Sequence, residues 1–239
     1  MERYTPQDIL QILIDFYNCQ AAFDPEVEPG HHLSFQTTIF EWRDICDLIE
    51  PKKLAKCYHD SFKLNTLVSE LEILLSYSKN TLSDFCNYIA DNAVRQEVLP
   101  VNIMGTNCMS AGIFKSLINN LKQKGIDTSG IQPSSGIVPI FNKHAGTLLD
   151  EVSKLAPGSF TKFEYEENRI TKWGLGLTLT GIFFLFIALA SHFYWFLLLP
   201  LPAGIILLII GRRFKPKKEV IGGYDTIRDL ILGMQAKLK

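Results

Sequence analysis

A chain of 239 residues holds one large domain or two small ones. With 47% apolar and 21% charged residues it is neither a disordered tail nor a low-complexity polymer, and 16 Gly and 11 Pro exclude a collagen-like class. The net charge of −1 conceals two unlike parts: residues 1–168 hold 14 Lys/Arg against 22 Asp/Glu, whereas residues 169–239 hold 10 against 3. Such asymmetry joins an acidic globular part to a basic part that faces another solvent or partner.

The N-terminus reads as a helix start. Thr5-Pro6-Gln7-Asp8 supplies a capping hydroxyl, a proline at the first helical position and a carboxylate three residues after the cap. Ile9, Leu10, Ile12, Leu13, Phe16 and Tyr17 follow at helical spacing. This opening has no apolar h-region, so no cleavable signal is expected and the N-terminal part stays on the side of synthesis. Residues 22–37 form a long loop, with a short alternating stretch from Leu33 to Ile39. Helices are expected over about 38–48 and from Pro51 to about Phe62, then after caps at Asn65 and Thr81. Ser110 caps the next, which ends at Gly125-Ile126 in a left-handed stop. A further helix over about 140–155 is stopped by Pro157-Gly158. With almost no convincing strand, residues 1–158 form an α-helical domain, and 159–172 a stalk.

From Gly174 to Gly211 there is no Asp, Glu, Lys or Arg in 38 residues, nearly twice the ~20 that one spanning helix needs. Two transmembrane helices fit, 173–190 and 194–211, broken by Ser191-His192-Phe193. The alternative, a buried core hairpin of a soluble protein, lacks the polar face such helices usually carry. Arg169 and Lys172 precede the pair, and Arg212, Arg213, Lys215, Lys217 and Lys218 follow it. Both ends are therefore expected in the cytoplasm, in a bacterial inner membrane or a thin internal eukaryotic one. Trp173 lies at one interface, with Phe193, Tyr194 and Trp195 at the other. Gly174, Thr178 and Gly181 share a face suited to close packing against the second span or another copy. Residues 212–239 form a basic segment and an amphipathic tail helix, capped at Asp225 after a flexible Gly222-Gly223 joint. The tail lies either in the headgroup layer or on the cytosolic domain.

Reactive chemistry is sparse. Cys19, Cys46, Cys57, Cys86 and Cys108 are odd in number and scattered, which fits reduced thiols of a cytosolic core. Cys108 precedes a helix start, where a thiol is acidified, and is the weak candidate for a nucleophile with His59 or His144. His31, His32, Cys57 and His59 are weak metal candidates without the usual paired spacing. Glu41, Asp44 and Asp47 share a helix face that reads as solvated. P-loop, dinucleotide, nucleophile-elbow and zincin motifs are absent, so no cofactor is expected. The acidic N-terminal part disfavours nucleic acid.

These features favour a membrane-anchored helical adaptor or scaffold acting through protein–protein contacts, with anionic headgroups as the partner of the basic segment. An effector that oligomerises through its hairpin and perturbs the membrane is the first alternative. A membrane-tethered enzyme is the second.

Overall fold

The computed structural model describes residues 2–166, 168–191, 200–211, 214, 216 and 218–238. Among them the chain is mainly helical, and its strands are short. In order these are β1 (Glu2–Arg3), α1 (Pro6–Phe23), α2 (Ile39–Ile45), α3 (Pro51–Phe62), α4 (Val68–Ser76), α5 (Leu82–Asn92), β2 (Val94–Arg95), β3 (Val101–Ile103) and β4 (Thr106–Cys108). There follow α6 (Met109–Gln123), α7 (Ile137–Leu155), β5 (Phe163–Glu166), α8 (Arg169–Ser191), α9 (Pro200–Gly211), β6 (Lys218–Ile221) and α10 (Ile227–Lys237). The strands pair as β1–β2, β3–β4 and β5–β6.

Local chemistry sets several helix starts. Thr5, Thr38 and Thr81 each accept an N–H from the third helical residue, whose carboxylate (Asp8, Glu41 or Asp84) reaches back to the cap. The stop at Gly125 holds as expected, with φ at +82° and the Ile126 amide donating to the Leu121 carbonyl at 3.1 Å. Four starts differ from the sequence reading. α7 begins at Ile137, capped by Gly136, ahead of the expected start near 140. α4 begins after Leu67 because the Asn65-Thr66 segment is held elsewhere: Thr66 accepts the Tyr88 hydroxyl at 2.7 Å and its carbonyl meets His59. α6 is capped by Cys108, since β4 runs straight into it. α10 is capped by Thr226, not Asp225, through a box with Asp229.

The chain divides into two compact units, residues 1–163 with 220–239, and residues 164–219. The sequence reading places boundaries at 158, 172 and 211, with the tail helix either in the headgroup layer or on the first domain. Residues 220–239 belong to the first unit because Ile221, Ile227, Leu230, Ile231 and Met234 complete a core with Ile113, Leu117, Ile137, Leu148 and Val152. Gly222 and Gly223, at φ +66° and +85°, form a tight turn closed by the Tyr224 amide on the Ile221 carbonyl at 3.1 Å, in place of a loose joint.

The first unit has two cores. One is built from α1–α5 around Ile9, Leu13, Ile39, Trp42, Leu71, Leu82, Phe85 and Ile89, and the other from α6, α7 and α10. Both repeat one backbone frame. In the first, Ile39 N–H donates to Asn80 O (2.8 Å), Leu82 N–H to Thr37 O (2.8 Å), Ser83 N–H to Phe35 O (3.0 Å) and Ser34 N–H to Thr37 Oγ1 (3.0 Å). In the second, Ile137 N–H donates to Asp225 O (3.0 Å), Ile227 N–H to Ser135 O (2.9 Å), Arg228 N–H to Pro133 O (2.8 Å) and Gln132 N–H to Ser135 Oγ (2.9 Å). Single antiparallel bridges, Thr38 with Thr81 and Gly136 with Thr226, sit at matching points.

The helices correspond as well. α7 is broken at His144 (φ −141°), so its two parts match α2 and α3. α10 matches α5: Leu82, Phe85, Cys86 and Ile89 are buried as Ile227, Leu230, Ile231 and Met234 are. α1 packs on α5 as α6 packs on α10, through Ile9, Leu13 and Tyr17 in one case and Ile113, Leu117 and Leu121 in the other. The first unit is thus one helical module built twice. Where the first copy has α4, the second carries the whole of residues 164–219.

That second unit contains α8 and α9. Among the described residues no helix is long and apolar enough to cross a membrane. α9 is described from Pro200 for 12 residues, about 18 Å at 1.5 Å per residue, against a hydrocarbon core of about 30 Å. α8 opens with Arg169 and Lys172, and its side chains are described from Arg169 to Leu185. The two-span assignment of 173–190 and 194–211 is therefore unsupported by these helices. Its turn at His192-Phe193 and the aromatic residues Tyr194 and Trp195 lie outside the described residues.

Candidate functional site

The small-residue face of α8 has a definite partner. A Cβ placed on Gly174 would lie 2.8 Å from the Leu208 amide nitrogen, and one on Gly181 would lie 2.5 Å from that of Leu201. From the other side, Gly204 abuts Thr178 and Gly211 abuts Thr171. Gly174, Thr178 and Gly181 thus let the backbones of α8 and α9 touch, which serves close helix pairing. Thr178 Oγ1 donates to the Gly174 carbonyl (2.8 Å), so its hydroxyl is satisfied within the helix. Asn168 ties the ends together, accepting the Thr171 N–H (2.9 Å) and donating to the Gly211 carbonyl (2.9 Å).

The outside of the pair is apolar. Trp173 is 70% exposed, Leu179 60%, Phe183 62%, Ile206 55% and Ile209 58%. Of the expected headgroup-binding residues, Lys218 pairs with Glu164 across β5 and β6. Arg212, Arg213, Lys215 and Lys217 lie outside the described residues.

The candidates in the first unit do not assemble. Cys108 Sγ lies 3.2 Å from Ser110 Oγ, and that hydroxyl, followed by the Ala111 amide, holds its thiol below the usual range. Neither suggested base joins it: His59 Nε2 meets the Thr66 carbonyl at 2.7 Å, and His144 sits at the break in α7. His31 lies 3.3 Å from Glu28, His32 is exposed in a loop, and Cys57 is exposed on α3. Among the described residues no three His, Cys, Asp or Glu gather as metal ligands. Glu41 is a cap, its carboxylate accepting the Thr38 N–H (2.8 Å) and hydroxyl (2.9 Å), which lower its pKa.

Two polar sites have no signal in the sequence. At the end of α3, Ser61 donates to Asp150 Oδ1 of α7 at 3.1 Å. Lys154 Nζ donates to Asp150 Oδ2 (2.7 Å), the Ser61 carbonyl (2.7 Å) and the Ser61 hydroxyl, and stands 5.1 Å over the Phe62 ring. Burial pushes this lysine down, while Asp150 opposes the shift. Three acceptors surround Nζ, one for each N–H of an ammonium. The cluster ties the two modules together. The other site is Asp15 of α1, fully buried, with Oδ2 accepting the Gly158 amide at 2.9 Å.

A groove of about 780 Å³ opens in the second module between the first turn of α6 (Ser110, Ala111, Phe114), the loop at Gln132-Pro133-Ser134, and α10 (Arg228, Ile231, Leu232). Apolar Ala111, Phe114, Ile231 and Leu232 line it together with polar Ser110, Gln132, Ser134, Thr226 and Arg228.

Compared with known proteins, the chain matches no protein family, no curated protein and no solved structure.

Proposed function

We propose that the protein is an adaptor held at a membrane by the α8–α9 hairpin, with its two-module unit acting through protein–protein contacts at the cytoplasmic surface. The observation that carries this reading is the inside-out character of the helix pair. Its small residues face each other, while Trp173, Leu179, Phe183, Ile206 and Ile209 are exposed among the described residues. A contiguous exposed apolar surface of this kind is costly in water and is stabilised in lipid. A hairpin seated in the bilayer, spanning or re-entrant, does not require each described helix to cover the full hydrocarbon thickness. That residues 1–163 and 220–239 form one compact unit supports a hairpin whose two ends share one side of the bilayer. The basic residues Arg212, Arg213, Lys215, Lys217 and Lys218 would then meet anionic headgroups, each worth about 1 kcal/mol near the surface. The membrane-perturbing alternative would have to assemble through the outer face, because Gly174, Thr178 and Gly181 already pack against α9.

The test uses full-length protein and dye-loaded anionic vesicles at rising protein density. Carbonate-resistant association without dye release is expected. Release by carbonate would refute the anchor, and leakage rising steeply with density would replace the adaptor by a pore-forming effector.

A further inference from the structure

The two modules differ at one informative point. Backbone position 35 of the first copy corresponds to position 133 of the second, since the Phe35 and Pro133 carbonyls accept the equivalent amides of Ser83 and Arg228. Phe35 packs its ring onto the core of its own module. Pro133 has no comparable reach, and the groove it lines remains open over Ala111, Phe114, Ile231 and Leu232. Phe35 thus shows what the repeated frame accommodates beside this loop: an aromatic side chain.

Charge narrows the choice. Arg228 stands exposed at the rim, one residue before Asp229, and no ion pair to it occurs among the described residues. The Asp229 carboxylate is turned back to accept the Thr226 hydroxyl (2.7 Å) and N–H (3.1 Å). An arginine left without a carboxylate beside an apolar groove complements a ligand with a ring and an adjacent negative charge.

We propose that this groove is the docking site for a partner-protein segment that inserts an aromatic side chain, next to an acidic residue, into the place that Phe35 fills in the first module. This deepens the adaptor reading and rests on it.

The probe is a capped tetrapeptide of sequence alanine-phenylalanine-aspartate-alanine. It is titrated into methyl-labelled full-length protein in detergent micelles, with peptides carrying alanine for phenylalanine or asparagine for aspartate as comparisons. Shifts confined to the methyls of Ala111, Ile231 and Leu232 are expected, absent for the alanine peptide and about threefold weaker for the asparagine peptide, as suits an exposed ion pair. Arg228→Gln should erase the difference between the aspartate and asparagine peptides. Pro133→Phe, which rebuilds the first module's plug, should abolish binding while leaving the Ile9 and Ile12 methyls unmoved. Ala111→Leu narrows the groove from α6 and decides the matter if Pro133→Phe fails to fold. Binding that survives whichever of these two variants folds, shifts centred elsewhere, or no shift at millimolar peptide overturns the proposal. Vesicle association of the same variants reports separately on the anchor, so loss of one reading does not imply loss of the other.

Discussion

Replacing Asp15 by Asn should remove a pH dependence that the fold imposes on its own stability. Asp15 sits on α1 with no exposed surface, against the turn after α7 that contains Gly158. Burial raises its carboxyl from 3.8 to about 7, opposed by the Gly158 amide, by Ser153 and Gln11, and more distantly by Lys237. Between these values the folded chain holds a proton that the unfolded chain has released. The stabilisation is therefore fully present below pH 3.8 and is lost as pH rises through about 7. At 1.36 kcal/mol per pH unit, the difference amounts to about 4 kcal/mol across the window. For a chain of this size that is a melting shift of about 10 °C. Asn keeps an acceptor for the Gly158 amide and carries no charge. Asp15→Asn should match the parent near pH 4 and exceed its stability by up to about 4 kcal/mol at pH 8. Thermal unfolding of both proteins can be followed by Trp42 fluorescence from pH 4 to 8, with Trp173 and Trp195 replaced by Phe. Groups that titrate alike in both proteins cancel in the difference. Parallel curves across this window would refute the argument.

In the helix pair, Gly181→Leu should weaken packing by about 1–3 kcal/mol, read as faster amide exchange along α9. Gly176→Leu should leave that exchange unchanged, since nothing lies within 4 Å of a Cβ there. Thr81→Ala and Thr226→Ala each remove a capping box and should cost about 1 kcal/mol in denaturant unfolding, alike in both copies of the module. Iodoacetamide at pH 7.5 should label Cys108, with its lowered pKa, and exposed Cys57. Buried Cys19, Cys46 and Cys86, each pushed up to about 12, should stay unmodified until the chain unfolds; mass spectrometry of the labelled peptides decides.

The candidate sites were legible to different degrees. The Gly174/Thr178/Gly181 face stood out because small residues at helical spacing have few other uses in an apolar segment. Its partner did not, since a stripe fits a neighbouring helix and a second copy equally. Cys108 was visible from its place before α6, yet the absence of a joined base is a three-dimensional fact. The Ser61–Asp150–Lys154 cluster was invisible because it joins residues 89 and 93 apart in the chain. Asp15 was invisible because nothing distinguishes a buried carboxylate from a solvated one along a helix except what packs over it.

The sequence by itself determined the helical character of the chain, the caps at Thr5 and Thr81, the stop at Gly125 and the uncharged segment from 174 to 211. Each rests on interactions between residues about one helical turn apart, or on the solvent preference of a continuous run. Only the tertiary structure decided that the first unit is one module built twice, that α10 closes the second copy, and that α8 and α9 interrupt it. The two copies share little beyond a pattern, a Thr cap with Asp three residues on and apolar positions at helical spacing. Different side chains fill the same frame: Leu82, Phe85 and Ile89 in one copy, Ile227, Leu230 and Met234 in the other. A core accepts many combinations of apolar volume, whereas the backbone bridge that joins two loops accepts only one geometry.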